Sequence, residues 1–290
     1  MKIAYIIDST ADLDPAYENH PDIYRVSLHV TYENGDVVED SKDETKIQEF
    51  YSRLKKEKTP PKSSQPSPQA FMDVLDKIVE KGYDAVIGIT LSAKLSGTFQ
   101  TMQMIMEEYK DKIQVYPINS ENTSYVIGSM VEQAMELDES GVEIDKIIEH
   151  LKWVASESEV YLLVKDLHNL VKGGRLGSAS AVLGSLLRIR PIMKFDNDEG
   201  VKLYEKVRTD RRVMAKWVEI LVEKYEHFKG NLDVVVVHGD VEQDALKIME
   251  NFKEKFPDIK YHVYYLGSVL GVHGGNGAIG MAFIPNQYEK

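Results

Sequence analysis

The amino-acid sequence predicts an α/β protein of two α/β domains, with a mainly parallel sheet in the N-terminal one. Two observations carry this class. Short apolar runs alternate with segments whose apolar residues recur every three or four positions, the order that builds βαβ units. Polar segments rich in glycine, proline or hydroxyls then fall at the ends of those runs, where open α/β sheets gather their ligands.

Lys2 to Ile7 reads as a buried strand, and Tyr24 to Tyr32 as one extended, β-branched segment with partial alternation. Glu44 to Lys56 predicts a helix, with Ile47, Phe50, Tyr51 and Leu54 at helical spacing. Thr59 to Pro68 holds four prolines and four hydroxyl residues and reads as a loop. Helices follow at Gln69 to Lys81, Leu95 to Tyr109, Ser124 to Leu137 and Ile144 to Ser156, with strands at Ala85 to Thr90 and Ile113 to Ile118. The second half carries strands at Val160 to Val164, Leu186 to Phe195, Val201 to Val207, Leu232 to Val237 and Tyr261 to Leu266, and helices at Arg212 to Tyr225 and Gln243 to Phe256. The pattern divides into domains at residues 1–157 and 158–290.

Composition narrows the function. The chain has 290 residues, a net charge of −12 and no cysteine. The acidic balance opposes non-specific nucleic-acid binding, which needs cations to replace counterions. Without cysteine there are no disulfides, thiolate metal ligands or thiol nucleophiles. The apolar run from Ile3 to Ile7 is strand-length and stops at Asp8, which does not read as a signal peptide. No apolar run approaches the ~18 residues that span a bilayer, so the expected compartment is the cytoplasm.

Five segments could carry chemistry. Asp8-Ser9-Thr10-Ala11-Asp12 follows the first strand and reads equally as a helix cap. Ser63-Ser64-Gln65-Pro66-Ser67 reads alone as an ordinary loop. Leu91 to Thr98 links a strand to a helix, where free N–H groups and the helix dipole favour an anion; Ser96, Gly97 and Thr98 lie at the junction. Leu266 to Gly280 has six glycines in fifteen residues and encloses His273. It lacks the Gly-Lys-Ser/Thr ending of a P-loop and the order of a dinucleotide fingerprint. Lys172-Gly173-Gly174-Arg175-Leu176 reads as a basic turn or a helix C-cap. The apolar, small-residue stretch Ser178 to Leu187 after it predicts a buried helix beside space for an apolar ligand.

Together, in order and over nearly the whole chain, these segments resemble the DegV family, whose characterised members are fatty-acid-binding subunits of a bacterial fatty acid kinase. Asp8-Ser9-Thr10 is similar to the family's DST, Ser63 to Ser67 to TSQPS with Ser63 for Thr, and Leu91 to Gln100 to S-x-x-LSGTYQ. Lys172 to Leu176 is similar to KGGRI, and His273 to Ala278 to HxGPGA. The chain departs in having Asn119-Ser120 where an Asp-Ser pair is common, and Asn276 where Pro is common. The resemblance implies an acyl chain between the domains. It also implies a carboxylate held by hydroxyls at Ser63 and Ser96, near His273 and an Arg, for which Arg208 is the match.

The expected role is a carrier, not a catalyst. One long-chain fatty acid is bound, no cofactor or metal is needed, and the carboxylate is phosphorylated by a separate ATP-dependent fatty acid kinase subunit. Phospholipid metabolism and transient membrane contact follow from that role. Each buried methylene contributes roughly 0.8 kcal/mol, so the chain dominates affinity and the polar end sets orientation. A partner-docking patch is expected from Lys172, Arg175, Arg188, Arg190 and Lys194, with a solvated basic face as its alternative. The rival reading is an acyl hydrolase or acyltransferase with Ser96 as nucleophile and His273 as base. It lacks a Gly-x-Ser-x-Gly elbow and an obvious acid to orient His273. A third reading is an α/β domain that binds some other small apolar ligand.

Overall fold

The computed structural model describes residues 1–165, 167–177 and 190–287. The chain forms two compact units. The first comprises Met1–Val30, Val37–Asp40 and Ser63–Glu157, and the second Thr31–Asp36, Ser41–Lys62 and Ser158–Lys290.

Elements from the N-terminus are β1 (Ile3–Asp8), β2 (Ile23–Val26), β3 (His29–Thr31), β4 (Val37–Glu39), α1 (Glu44–Leu54), β5 (Lys62–Ser64), α2 (Pro68–Glu80), β6 (Ala85–Thr90), α3 (Thr98–Glu108), β7 (Gln114–Asn119), α4 (Tyr125–Glu139) and α5 (Ile144–Glu157). The main sheet of the first unit is parallel, in the order β2-β1-β6-β7. Strands β1 and β6 are buried at every position, as their unbroken apolar runs require of strands covered on both faces. Phe71, Leu75 and Ile78 of α2 and Met102, Ile105 and Met106 of α3 pack with Ala4, Ile6 and Val86 of the sheet. Gly88 leaves room there for the sulfurs of Met102 and Met106, which would lie 2.6 and 2.8 Å from a Cβ. From β1 the sheet grows to β2 on one side and to β6 on the other, so the carboxyl ends of β1 and β6 flank the switch point where such sheets hold ligands.

The second unit continues with β8 (Glu159–Leu163), α6 (His168–Lys172), β9 (Arg190–Asp196), β10 (Gly200–Val207), α7 (Asp210–His227), β11 (Leu232–His238), α8 (Glu242–Lys255), β12 (Lys260–Tyr265), α9 (Ser268–Gly274) and β13 (Ile279–Pro285). Its sheet has the order β10-β9-β8-β13-β11-β12. All neighbours are antiparallel except β11 and β12. Trp217 and Leu221 of α7 and Ile248 and Phe252 of α8 share one core with Val234, Val236 and Phe283 of the sheet. A small third sheet has the order β4-β3-β5.

Four sequence expectations change. The single extended segment Tyr24 to Tyr32 is two strands in two different sheets, β2 and β3. The proline-rich loop contains β5. Helix α1, placed by the sequence division in the N-terminal domain, groups with the second unit: Tyr51 donates its hydroxyl to the Leu266 carbonyl at 2.7 Å. The glycine-rich segment contains a helix, α9, and runs into a strand, β13, neither of which its composition reveals. The expected helix Ser178 to Leu187 lies outside the described residues, as do residues 186–189 of the strand expected at Leu186.

Candidate functional site

At the carboxyl edge of the parallel sheet, Asp8 is fully buried and acts as an organiser. Its carboxylate accepts the Leu91 N–H at 2.6 Å, the Thr10 N–H at 2.8 Å and the Thr10 hydroxyl at 2.6 Å. Asp8 thus ties the end of β1 to the end of β6, the position the sequence read as a local cap. Ser9 donates to Asp40 at 2.9 Å and accepts from Leu28 N–H at 3.0 Å. Asn119, where the family pattern has Asp, accepts from Ala93 N–H at 3.1 Å and Glu121 N–H at 3.2 Å. Its amide oxygen thus holds the 91–96 loop without a charge.

That loop delivers Ser96 to the start of α3. The N–H groups of Leu95 and Ser96 turn back to the Ser92 carbonyl at 2.9 and 3.2 Å, which delays the helix to Thr98 rather than Leu95. Gly97 is the N-cap and no side chain caps the helix. Ser96 Oγ accepts the Thr98 N–H at 3.3 Å and shares a 2.8 Å hydrogen bond with Thr98 Oγ1. Whichever oxygen donates in that pair, the other keeps its own O–H for a further acceptor. With the remaining N–H groups of an uncapped first turn, the position favours an anion.

The Ser63–Ser67 segment comes to the same place. Gln65 donates through Nε2 to Thr101 Oγ1 at 2.6 Å. A Cβ on Gly97 would sit 2.2 Å from Gln65 Oε1, so a side chain at 97 would push the Gln65 amide aside. Ser67 caps α2 through the Ala70 N–H at 3.2 Å, and Pro68 opens that helix. Gln65 therefore brings its segment to Gly97 and Thr101, beside Ser96 and Thr98. Gln65 lies within the Ser63–Ser67 motif, and nothing in the local sequence marks it as the link to Thr101.

In the second unit, His273 ends α9 against the basic turn after α6. A Cβ on Gly173 would lie 2.2 Å from His273 Nδ1, and Arg175 Nη1 donates to the Gly173 carbonyl at 2.6 Å. Burial, reinforced by the Arg175 guanidinium, pushes the His273 pKa down to about 4. At neutral pH this imidazole is therefore uncharged and offers a hydrogen bond, with Arg175 as the adjacent cation. The charge acting on His273 is a cation where a hydrolase would place an orienting carboxylate. Arg208 lies exposed between β10 and the Thr209 cap of α7.

Two cations of the basic patch expected from the sequence are held in ion pairs. Lys194 pairs with Glu159 at 2.8 Å, and Glu159 also holds Lys224 at 3.0 Å. Hydrogen bonds from Lys194, Tyr161 and Lys224 outweigh the effect of burial and keep Glu159 below its ordinary carboxylate pKa. Arg190 pairs with Asp210. Sequence proximity gathered these cations, but their carboxylate partners come from distant elements. Arg188 lies outside the described residues, and Lys172 is exposed.

The second unit also holds a cavity of about 240 Å³, walled by Leu163, Val213, Met214, Trp217, Ile248 and Ile279 with the charged residues Arg190, Asp210, Asp244 and Lys247. Among the described residues, no group of His, Asp and Glu side chains is arranged to hold a metal ion. No described helix is long and apolar enough to cross a membrane.

Fold and site define an α/β protein whose parallel sheet presents a hydroxyl-lined helix N-terminus at its carboxyl edge. The chain belongs to the DegV family: the family model described as "Uncharacterised protein, DegV family" matches residues 2–286. It is 35% identical over 285 residues to Protein DegV of Bacillus subtilis, covering 98% of this chain and 99% of that one. It is 33% identical over 287 residues to a DegV domain-containing protein of Listeria innocua, covering 97% and 98%. Among solved structures, it is similar to the fatty acid binding DegV family protein of Streptococcus agalactiae, with TM-score 0.90, 28% identity, and coverage of 99% and 100%. It is also similar to DegV, a fatty acid binding protein from Bacillus subtilis, with TM-score 0.86, 32% identity, and coverage of 99% and 100%.

Proposed function

We propose that this protein binds one long-chain fatty acid and acts as its carrier. The observation that carries the reading is the start of α3, where the hydroxyls of Ser96 and Thr98 meet an N-cap without a side chain and Gln65 anchors the Ser63–Ser67 segment against Thr101. Members of the same family with closely similar folds bind fatty acids. A carboxylate removed from water must be hydrogen-bonded or paired, and hydroxyl and amide donors at a helix N-terminus supply this. Ser63, Ser96, Gly97 and Thr98 take the head group in this reading, with His273 and Arg208 as further head-group residues. Organic extraction and mass spectrometry of the purified protein should yield a long-chain fatty acid near one per chain. Folded protein that yields none overturns the reading.

The finer role is presentation of the carboxylate to an ATP-dependent fatty acid kinase subunit, which makes the acyl phosphate for phospholipid metabolism. Of the expected docking cations, Lys172 is exposed and supports this reading, while Arg190 and Lys194 pair with carboxylates. Lipid-loaded protein mixed with the kinase subunit and ATP should yield acyl phosphate, while the protein with ATP alone should yield none.

A further inference from the structure

The cavity of the second unit lies between its sheet and the two helices α7 and α8. Its floor is apolar and buried: Leu163 of β8 and Ile279 of β13 meet Val213 and Trp217 of α7 and Ile248 of α8, all members of one core. Its rim carries Arg190, Asp210, Asp244 and Lys247, the last three exposed. At about 240 Å³ it lies just under the roughly 300–1,000 Å³ of typical ligand pockets. A void of that size is unusual beside a core packed to native density, because its lining forfeits contacts that larger side chains would restore.

Two residues that line this cavity hold buried donors without an acceptor. Trp217 is fully buried, and among the described residues its indole Nε1–H has no hydrogen-bond partner. Arg190 donates through Nη1 to Asp210, while its Nε–H is buried and likewise unpaired among the described residues. Unpaired buried donors are costly and in a native fold call for an explanation. Both are N–H groups, so what they lack is an acceptor. The charges of the rim meanwhile cancel: Arg190 pairs with Asp210, and Lys247 faces Asp244 at 4.0 Å. Two cations and two carboxylates leave no net charge to draw in an ion, and the guanidinium already has its counter-ion.

We propose that this cavity is a second ligand site, which takes a compact uncharged molecule that is apolar over most of its surface and offers one carbonyl-type acceptor to the Trp217 indole N–H. Apolar contact with the floor supplies most of the affinity, and the single acceptor fixes the orientation. The site is built from α7, α8 and the sheet they cover. It shares no residue with the proposed head-group set of Ser63, Ser96, Gly97, Thr98, His273 and Arg208. It therefore stands whether or not the chain carries a fatty acid.

The test titrates the full-length protein with acetophenone and, separately, with isopropylbenzene, molecules of matching shape of which only the first has an acceptor. The indole N–H signals are followed by NMR; the chain has two tryptophans, and Trp153→Phe assigns the signal of Trp217. Acetophenone should shift that signal saturably and bind about fivefold more tightly than isopropylbenzene, the effect of one neutral hydrogen bond. Met214, at the partly buried edge of the cavity, offers the blocking variant: Met214→Phe fills the space and should abolish binding of both probes. No saturable shift with acetophenone, equal affinity for the two probes, or unchanged binding in Met214→Phe overturns the proposal. Saturating oleic acid should leave the acetophenone affinity unchanged; displacement by oleic acid assigns the cavity to an acyl chain and overturns the second site. Lipid content, read on the same samples by extraction, reports on the carrier reading independently.

Discussion

Gln65 sits against Gly97 so closely that a methyl group there would meet its amide oxygen at 2.2 Å. The contact joins two loops more than thirty residues apart in the chain at the start of α3, where the proposed head-group hydroxyls lie. Gly97→Ala displaces the end of a flexible side chain, so Gln65 swings away from Thr101 and the fold loses about 1 kcal/mol. Gly128→Ala meets backbone instead, the Asp12 carbonyl oxygen 1.9 Å from the new Cβ, and should cost about 3 kcal/mol. Urea melts of the two variants check the contrast. Equal midpoints would show that α4 gives way as easily as a glutamine side chain.

Ser96→Ala removes a hydroxyl from the anion position and leaves Thr98 in place. Loss of a charge-assisted hydrogen bond of roughly 1.5–3 kcal/mol lowers fatty-acid affinity by about one to two decades. A fluorescent fatty-acid displacement assay measures this, and the far-UV circular dichroism should match the parent. Undiminished affinity would remove Ser96 from the head-group site.

Arg175→Glu replaces the cation beside His273 with an anion. Burial remains the larger cause of the depressed pKa, so His273 should rise from about 4 without reaching 6.5. An NMR titration of its Cε1–H resonance reads the change directly. Retained lipid with lost acyl-phosphate formation assigns Arg175 to docking; lost lipid with a retained partner assigns it to the pocket.

Acid should weaken the first unit through His150. Gln133 uses its Nε2 to donate to Ser129 at 2.9 Å, so its Oε1 must accept from His150 Nε2 at 2.7 Å. Burial lowers the His150 pKa to about 4, and the unfolded chain binds its proton near 6.5. The unfolded state therefore holds more protons between those values. The stabilisation is complete above pH 6.5 and is lost as pH falls toward 4, about 2 kcal/mol of it by pH 5. Denaturation midpoints at pH 7 and pH 5 test this, with His150→Gln expected to show a flatter profile.

Lys194→Met should cost only about 1 kcal/mol, because Lys224 remains beside Glu159. Kinase-coupled acyl-phosphate formation should be unaffected. A specific loss of the partner in this variant would restore Lys194 to the docking surface.

Periodicity exposed the centre of the first unit because β1 and β6 are buried throughout and helices such as α2 on one face. It failed where one local pattern serves two destinations. Tyr24 to Tyr32 looks like a single strand, and nothing local says that β2 joins one sheet and β3 another. Strand β13 hid behind six glycines, although Ile279–Pro285 is as apolar as any strand here. At the site, motif residues were visible but their couplings were not. Asp8 reaches Leu91 across 83 positions, and Lys194 finds Glu159 only once β8 and β9 are paired.

Strand β13 comes last of the second sheet's strands in the chain yet lies between β8 and β11. While the protein is being made, β8 has emerged long before that central position can be filled. Until β13 arrives, the facing edges of β8 and β11 present unpaired backbone groups, the kind of surface that recruits other chains. The first unit has no such dependence, since its four parallel strands are complete by Asn119. Synthesis thus passes through a stage with one finished sheet and one divided sheet, and nascent-chain holdases would be needed most in the interval before Ile279–Pro285 inserts.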